Sequence, residues 1–125
     1  MAQITRNIDP ASARDLLARP ARACLAFAGP DGPVALPVAL AWSGEQALAG
    51  VPERAQPQPG AGQEAVLLAD EGVRFFDLRA IYLRGRLEPA EAPAGAPAGY
   101  RWFALAVQKT VAWDYGALRE VPDGA

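Results

Sequence analysis

Few side chains in this sequence could act as a nucleophile, a base or a metal ligand. It has no histidine, which excludes a Ser-His pair, a histidine-bound metal or haem and an imidazole base. Cys24 is the only cysteine, so it has no partner for an internal disulfide, and its apolar neighbours favour a core position. The two serines and two threonines are scattered, and Ser43 belongs to a turn-like "WSGEQ". We therefore predict no metal site and name no catalytic residue.

Arg54 is the first of the charged residues that could bind a ligand. It stands in "VPERAQPQPGAGQ" (51–63), a loop with three prolines and two glycines. A guanidinium group can bind phosphate through two parallel hydrogen bonds, and free backbone N–H groups at Gly60 and Gly62 would add to this contact. The alternative is a solvated arginine in a simple connector. We interpret the loop as the wall of a site.

A second group of charges lies in "VRFFDLRAIYLRGRLEP" (73–89), which predicts one long strand. Asp77 and Arg79 then share a face with apolar residues, which favours a structural ion pair, within the strand or across to a neighbour, over a ligand contact. Arg84 and Arg86 lie on the opposite face, where arginines are solvated or interfacial.

Length and charge limit the class of protein. The 125 residues predict a single domain, 1–125, and the net charge of -2 with scattered arginines argues against nucleic acid or an anionic membrane as partner. No run of about 18 apolar residues is present, and the N-terminal stretch lacks an apolar signal segment. We expect a cytoplasmic protein.

The elements that must position these residues are mostly strands. Asp9 as N-cap, Pro10 at the first helical position and Pro20 as a stop predict one short N-terminal helix. An apolar hairpin with its turn at residues 29–32 follows, and then come further short strands, including the two runs "YRWFALAV" and "TVAWDYGALREV". About six strands joined by turns favour a mostly β fold, a small antiparallel barrel. The Pro/Ala/Gly-rich stretch 88–99 is predicted to be a mobile surface loop.

Residues 34–42 form a predicted strand with two unlike faces, because strand side chains alternate. Bulky residues would fill a barrel, whereas small ones would let a planar ring or a second subunit approach the backbone; the alternative is an ordinary covered strand with no ligand. Ala47, Ala49 and Gly50 are expected to extend the small face. The bulky face holds Val34, Leu36, Val38, Leu40 and Trp42, and the small face holds Ala35, Pro37, Ala39 and Ala41.

The order of four stretches resembles the flavin-binding split-barrel superfamily, the pyridoxamine 5'-phosphate oxidase-like proteins that bind FMN, FAD, deazaflavin F420 or haem. The resemblance covers about residues 12–119. Its carrying stretches are "ACLAFAGPDGPVALPVALAW", "GQEAVLLADEG", "FFDLRAIYLRGRLEP" and "VAWDYGALR". It implies a split β-barrel with a short N-terminal helix, a homodimer through the small-residue face, and a cofactor between the two subunits.

The resemblance also implies site residues. Val38 and Ala39 would contact the cofactor ring, and Gly50, Val51 and Arg54 its phosphate end. Trp113 would reach the cofactor of the other subunit. Arg119 is a weaker candidate for the same contact. Leu36, Pro37 and Ala41 stand where phosphate-binding relatives would place Arg or Lys.

The resemblance implies an FMN- or F420-dependent oxidoreductase that acts on a small molecule, in which the cofactor carries the reaction and the protein binds and orients it. Such chemistry suits a chain without histidine. The alternative is a cofactor-free binding or structural homodimer of the same fold, because Arg54 is the only basic residue of its loop.

Overall fold

The computed structural model describes residues 2–18, 22–117 and 119–122. A 3-10 turn at Pro10–Ala13 leads into one short helix, Asp15–Ala18 (α1), and further 3-10 turns lie at Phe75–Asp77 and Tyr115–Ala117. The strands are Ala2–Thr5 (β1), Asn7–Ile8 (β2), Arg22–Gly29 (β3), Gly32–Pro37 (β4), Ala39–Ser43 (β5), Gln46–Pro52 (β6), Glu64–Glu71 (β7), Arg79–Pro89 (β8), Tyr100–Asp114 (β9) and Arg119–Pro122 (β10).

The predicted N-terminal helix is confirmed, with a tighter first turn. The Asp9 side chain accepts a hydrogen bond from the Ala11 N–H at 3.0 Å, which satisfies one of the free donors at the helix start. Leu16 and Leu17 of α1 are buried in the main core, so the helix packs against the inner face of the sheet. Pro20, the predicted stop, lies outside the described residues.

The main sheet is antiparallel and curls into a half-barrel. Its strand order is β4-β3-β7-β8-β9-β6-β5, with β2 paired to β9. The two outermost strands, β4 and β5, are separated in the chain by Val38 alone, whose N–H donates to the Ala23 carbonyl at 3.1 Å. The chain therefore joins one edge of the sheet to the other, which confirms the predicted mostly β barrel-like fold.

The unlike faces of residues 34–42 behave as predicted, although the segment forms two strands. Its bulky residues pack against the main core from both β4 and β5. Ala39 and Ala41 instead pack outside it, on a second cluster formed by Leu48, Trp102 and Ala104. The break follows Pro37, which has no N–H to donate to a ladder.

Ala47 and Ala49 do not extend the small face, contrary to expectation. Both are buried in the main core, whereas Leu48 belongs to the second cluster. Side chains alternate between the two faces of the sheet along β6. Which of them point outward is set by the pairing with β5, where Leu48 lies opposite Ala41 of the small face.

The predicted long strand 73–89 begins only at Arg79. Residues 75–77 form a 3-10 turn, Val73 is 93% exposed, and Asp77 is exposed, so Asp77 does not share a strand face with Arg79. Conversely, the first predicted C-terminal run and the start of the second form one strand, β9, which has a bulge opposite Arg84 and Gly85; the rest of the second run forms the 3-10 turn at Tyr115–Ala117 and β10. The pairing of β1 with β10 was not predicted.

The stretch 88–99 begins as the end of β8 and continues at 90–99 as a connection outside helices and strands. It packs on the second cluster through Ala90 and Ala96. The Ala90 N–H donates to the Trp102 carbonyl, and the Gly99 carbonyl accepts from the Glu53 N–H, both at 2.9 Å. Packing of this connection was not foreseen, because its composition shows no apolar periodicity.

Within the described residues, no helix has the length and apolar character needed to cross a membrane.

Candidate functional site

Four of the residues predicted to bind a cofactor lie together where β5 and β6 pair. Ala39 is opposite Gly50, and Val38 and Val51 are their direct neighbours in the chain. Val38 and Ala39 are half-buried, whereas Val51 is fully buried in the main core. A ligand on the outer surface would therefore meet the backbone of Val51 and not its side chain.

The outer side of Gly50 is already covered by an aromatic ring of the same chain. Gly50 pairs with Trp102 on β9, and a Cβ at Gly50 would lie 2.9 Å from the Trp102 indole. This contact explains why the position requires glycine, since a Cβ would collide with the ring. The planar group that approaches this backbone is Trp102, so a cofactor ring would have to lie beside it, toward Val38 and Ala39.

Arg54 stands in the loop after β6. Its side chain is exposed and makes no hydrogen bond or ion pair with any residue that the structure describes. The predicted free N–H groups are not free: Gly60 donates to Gln63 Oε1 at 2.9 Å, and Gly62 donates to the Leu87 carbonyl at 2.7 Å. That part of the prediction was wrong, because the second half of the loop hydrogen-bonds to itself and to β8.

Two glutamine side chains fix the shape of this loop. The Gln58 amide nitrogen donates to the Pro52 and Ala55 carbonyls at 2.9 and 2.7 Å. The Gln63 amide nitrogen donates to the Ala28 carbonyl at 2.6 Å, which ties the loop to the first hairpin. Among the described residues, Gln58 Oε1 is the one buried side-chain nitrogen or oxygen atom without a hydrogen-bond partner. As an acceptor it suits an N–H or O–H donor, not a phosphate oxygen.

Arg101 is an exposed cation on the strand beside the Arg54 loop that the sequence analysis did not consider, and it shares the inner face of the sheet with Val51 and Phe103. It lies directly opposite Val51 in the β6–β9 ladder and is exposed, with its guanidinium 5.4 Å from the centre of the Phe103 ring. Because the Glu53 N–H bonds to the Gly99 carbonyl, the Arg54 loop and the start of β9 lie side by side. Only the register of β6 against β9 reveals this neighbour.

Trp113 lies at the opposite end of β9 from Trp102 and does not join the other predicted residues within one chain. Its ring is 5.2 Å from that of Tyr82 and is tilted by 45°, and the Arg6 guanidinium lies 5.6 Å from the Trp113 ring centre. It is half-buried on the outer face. The side chain of Arg119 lies outside the described part of the chain.

The outer face of the sheet carries a row of partly exposed apolar residues that runs across five strands. We call this row the outer stripe. Ion pairs flank it on both sides, Arg22 with Asp70 at 3.1 Å and Arg84 with Glu64 at 2.5 Å. In order of strand pairing, the outer stripe consists of Pro37, Cys24, Leu68, Tyr82 and Val111.

Burial raises the pKa of the Cys24 thiol above its ordinary value, and the nearby Asp70 carboxylate adds to this effect. Both act in the same direction because each disfavours the thiolate. At neutral pH the residue is therefore a protonated thiol in an apolar row.

Arg79 makes the predicted structural ion pair, with partners other than Asp77. Its guanidinium hydrogen-bonds to Asp15 of α1 and to Glu71 of β7, the latter at 2.6 Å. These contacts, led by the hydrogen bond to Asp15, raise the pKa of Arg79. Arg79 thus attaches the helix to the sheet, which is a structural role.

A cavity of about 530 Å³ opens at the end of the half-barrel, between α1, the β5–β6 turn and the bulge of β9. We call it the mouth cavity. None of the six residues predicted to bind a cofactor lines it. Among the described residues, no three acidic or cysteine side chains group as metal ligands would.

No protein-family model and no curated protein matches the sequence. Solved structures do match. An FAD-binding protein from Mycobacterium smegmatis has a TM-score of 0.67 at 11% identity, with 91% of this chain and 97% of that chain covered. An FAD-binding protein from Mesorhizobium loti has a TM-score of 0.61 at 14% identity, with 98% and 100% covered. The chain has the split-barrel fold of these structures.

Other structures with this split-barrel fold have different ligands in their names. A haem-binding protein from Mycobacterium smegmatis matches with a TM-score of 0.64 at 17% identity, over 91% of this chain and 58% of that chain. At such identities the matches establish the architecture, and the ligand has to be argued from the residues of this chain.

Proposed function

We propose that this split-barrel chain binds a flavin or a deazaflavin and acts as an oxidoreductase on a small molecule. The observation that carries the proposal is Arg54, which is exposed and makes no hydrogen bond or ion pair with a described residue, in the loop that follows the paired small residues Ala39 and Gly50. Nearly complete matches to two FAD-binding proteins support it.

The residues present fit such a cofactor in part. Ala35 and Pro37 are exposed and Ala39 is half-buried, so a flat ring could lie against this strand without displacing a large side chain. Arg54 would hold the phosphate, because a guanidinium group binds phosphate through charged hydrogen bonds. When bound, the cofactor supplies hydride or electron transfer, and this chain supplies its binding, its orientation and the exclusion of water.

We further propose that two copies of the chain form a homodimer through the outer stripe, which the exposed Ala35 of β4 extends. A row of partly exposed apolar residues across five strands is larger than the isolated apolar residues common on a monomer surface. In such a dimer, Trp113 would face the partner chain and not its own β5–β6 site. This separation within one chain is why Trp113 can serve the site only from the second subunit.

Titration of FMN, FAD and F420 into the purified protein tests the cofactor proposal. Arg54→Ala should weaken binding of the favoured cofactor by about 10- to 150-fold, because a hydrogen bond to a charged group contributes about 1.5–3 kcal/mol. Arg74→Ala is the matched control, since Arg74 is an exposed arginine on the β7–β8 turn. Saturation should also raise the melting temperature, as about 2.7 kcal/mol is gained at 100 times Kd.

The cofactor-free homodimer is the second candidate function. Two observations favour it: Trp102 covers Gly50, and the N–H groups of Gly60 and Gly62 are already bonded. If the wild-type protein binds none of the three cofactors, the oxidoreductase proposal fails and this candidate remains.

A further inference from the structure

We infer that the mouth cavity is a binding site for a small, uncharged and mostly apolar molecule. This inference does not depend on the proposed flavin site. Trp42 and Ala47, which line the cavity, are a directly opposed pair on the inner face of the β5–β6 hairpin. Ala39 and Gly50, in the proposed cofactor region, are a pair on its outer face.

The inner wall of the mouth cavity is apolar. Leu83 and Leu105 are at most 5% exposed, and Leu17 of α1 closes the wall. The Trp42 indole N–H donates to the Leu17 carbonyl at 2.8 Å, so the one polar atom of that ring is already satisfied. The ring is thereby held in place with its carbon face available. A ligand body that enters here exchanges water for aliphatic and aromatic contacts, which favours an apolar group.

A β-bulge keeps the cavity open. The β8–β9 ladder shifts register between Arg84 and Gly85, and a Cβ at Gly85 would lie 2.0 Å from the Ala106 carbonyl oxygen. The extra residue bends β9, as bulges do, and leaves Val107 47% exposed at the rim. The resulting volume of about 530 Å³ falls within the range of about 300–1,000 Å³ that small-molecule sites have.

The rim of the cavity is polar but carries no excess charge. Arg14 and Glu45 are both exposed and contribute one charge of each sign. The remaining polar rim residues, Ser43, Gln46 and Thr110, are uncharged donors and acceptors. A charged ligand would meet one attractive and one repulsive group while it lost water to the apolar wall. The rim therefore favours a neutral polar end, such as the hydroxyl of a phenol or an alcohol.

Three probes with one apolar body test this inference: 4-butylphenol, 4-butylbenzoate and 4-butylbenzylammonium. Trp42 fluorescence in a Trp102→Phe/Trp113→Phe variant reports binding from inside the cavity, because the chain has three tryptophans. Calorimetry on the wild-type chain measures the same affinities without these substitutions. We expect saturable binding of the phenol, at least 10-fold tighter than that of either charged probe.

Val107→Phe should weaken binding of the phenol at least 10-fold, since the larger ring would narrow the opening. Val73→Phe is the matched control, an exposed valine on the β7–β8 turn that does not line the cavity. Absence of saturable phenol binding to the wild-type chain would overturn the inference, as would equal binding by Val107→Phe. Tighter binding of a charged probe would overturn the assignment to uncharged ligands. Flavin titrations on the same preparations keep this result separate from the proposed cofactor.

Discussion

Arg79 illustrates how one residue joins two elements. It is 23% exposed and lies between carboxylates of α1 and β7, so its removal would break both of these ion pairs. We expect Arg79→Ala to lower the free energy of unfolding by about 1–2 kcal/mol, more than an isolated surface pair contributes. Urea denaturation measures this.

Arg84→Ala is the control for that change, because Arg84 lies on the same strand but its one ion pair with a described residue is with Glu64, and both side chains are about half exposed. Its cost should stay below about 1 kcal/mol. Equal losses for the two variants would contradict the attachment role of Arg79.

The reactivity of Cys24 provides a second test at the residue scale. Because burial and Asp70 raise the pKa of its thiol, the thiolate is scarce near neutral pH and its alkylation should be slow. The alkylation rate of Cys24 should still increase with pH in the range where the rate of an ordinary exposed thiol has become constant. Asp70→Asn should shift the rate profile to lower pH, as one of the two causes is removed. An unchanged profile in iodoacetamide kinetics would contradict this assignment.

The sequence could predict the site residues only as far as their types allowed. The absence of histidine excluded whole classes of chemistry, and the small residues near Ala39 were visible as a pattern. The cover of Trp102 on Gly50 was not predictable, because it depends on the register of β6 against β9. For the same reason Arg101 was missed, and Gly60 and Gly62 were wrongly taken as free donors.

At the scale of elements, Gly85 tests whether the bulge is required. A Cβ there would lie 2.0 Å from a backbone oxygen of β9, and backbone cannot rotate away as a side chain can. We expect Gly85→Ala to cost about 3 kcal/mol or more, measured by chemical denaturation.

Gly60→Ala is the matched substitution, since a Cβ there meets only Gln63 Oε1 at 4.0 Å. Its effect should stay within about 1 kcal/mol, because the backbone of Gly60 is one that other residues can adopt. If both alanine variants were equally stable, the ladder would have to accommodate a side chain at the bulge, contrary to the structure.

The strands were predicted correctly where large and small side chains alternate clearly. The prediction failed where pairing with other strands sets the ends of a strand. The faces of residues 34–42 were assigned correctly, yet the break at Val38 was not predicted; it lies where the segment passes from one edge of the sheet to the other. Likewise, "VRFFD" has the residues of a strand but forms a turn, since β7 and β8 must reverse there.

For the whole molecule, the decisive test is whether the outer stripe joins two copies of the chain. Leu68 is the middle residue of the stripe, between Cys24 and Tyr82, and is half-buried in the single chain. In a two-fold dimer a lysine at this position would face like charge or apolar surface, and like-charge contacts cost several kcal/mol. Leu68→Lys should therefore dissociate the dimer, with its dissociation constant raised at least 100-fold.

Sedimentation velocity over a range of concentrations measures this change, and far-UV circular dichroism verifies that the variant keeps its sheet. Val73→Lys is the control, because Val73 is 93% exposed on a turn away from the stripe and its substitution should leave the mass unchanged. A wild-type chain that sediments as a monomer at micromolar concentration would contradict the homodimer. It would also remove the route by which Trp113 reaches the β5–β6 site, since the two lie at opposite ends of β9 in one chain.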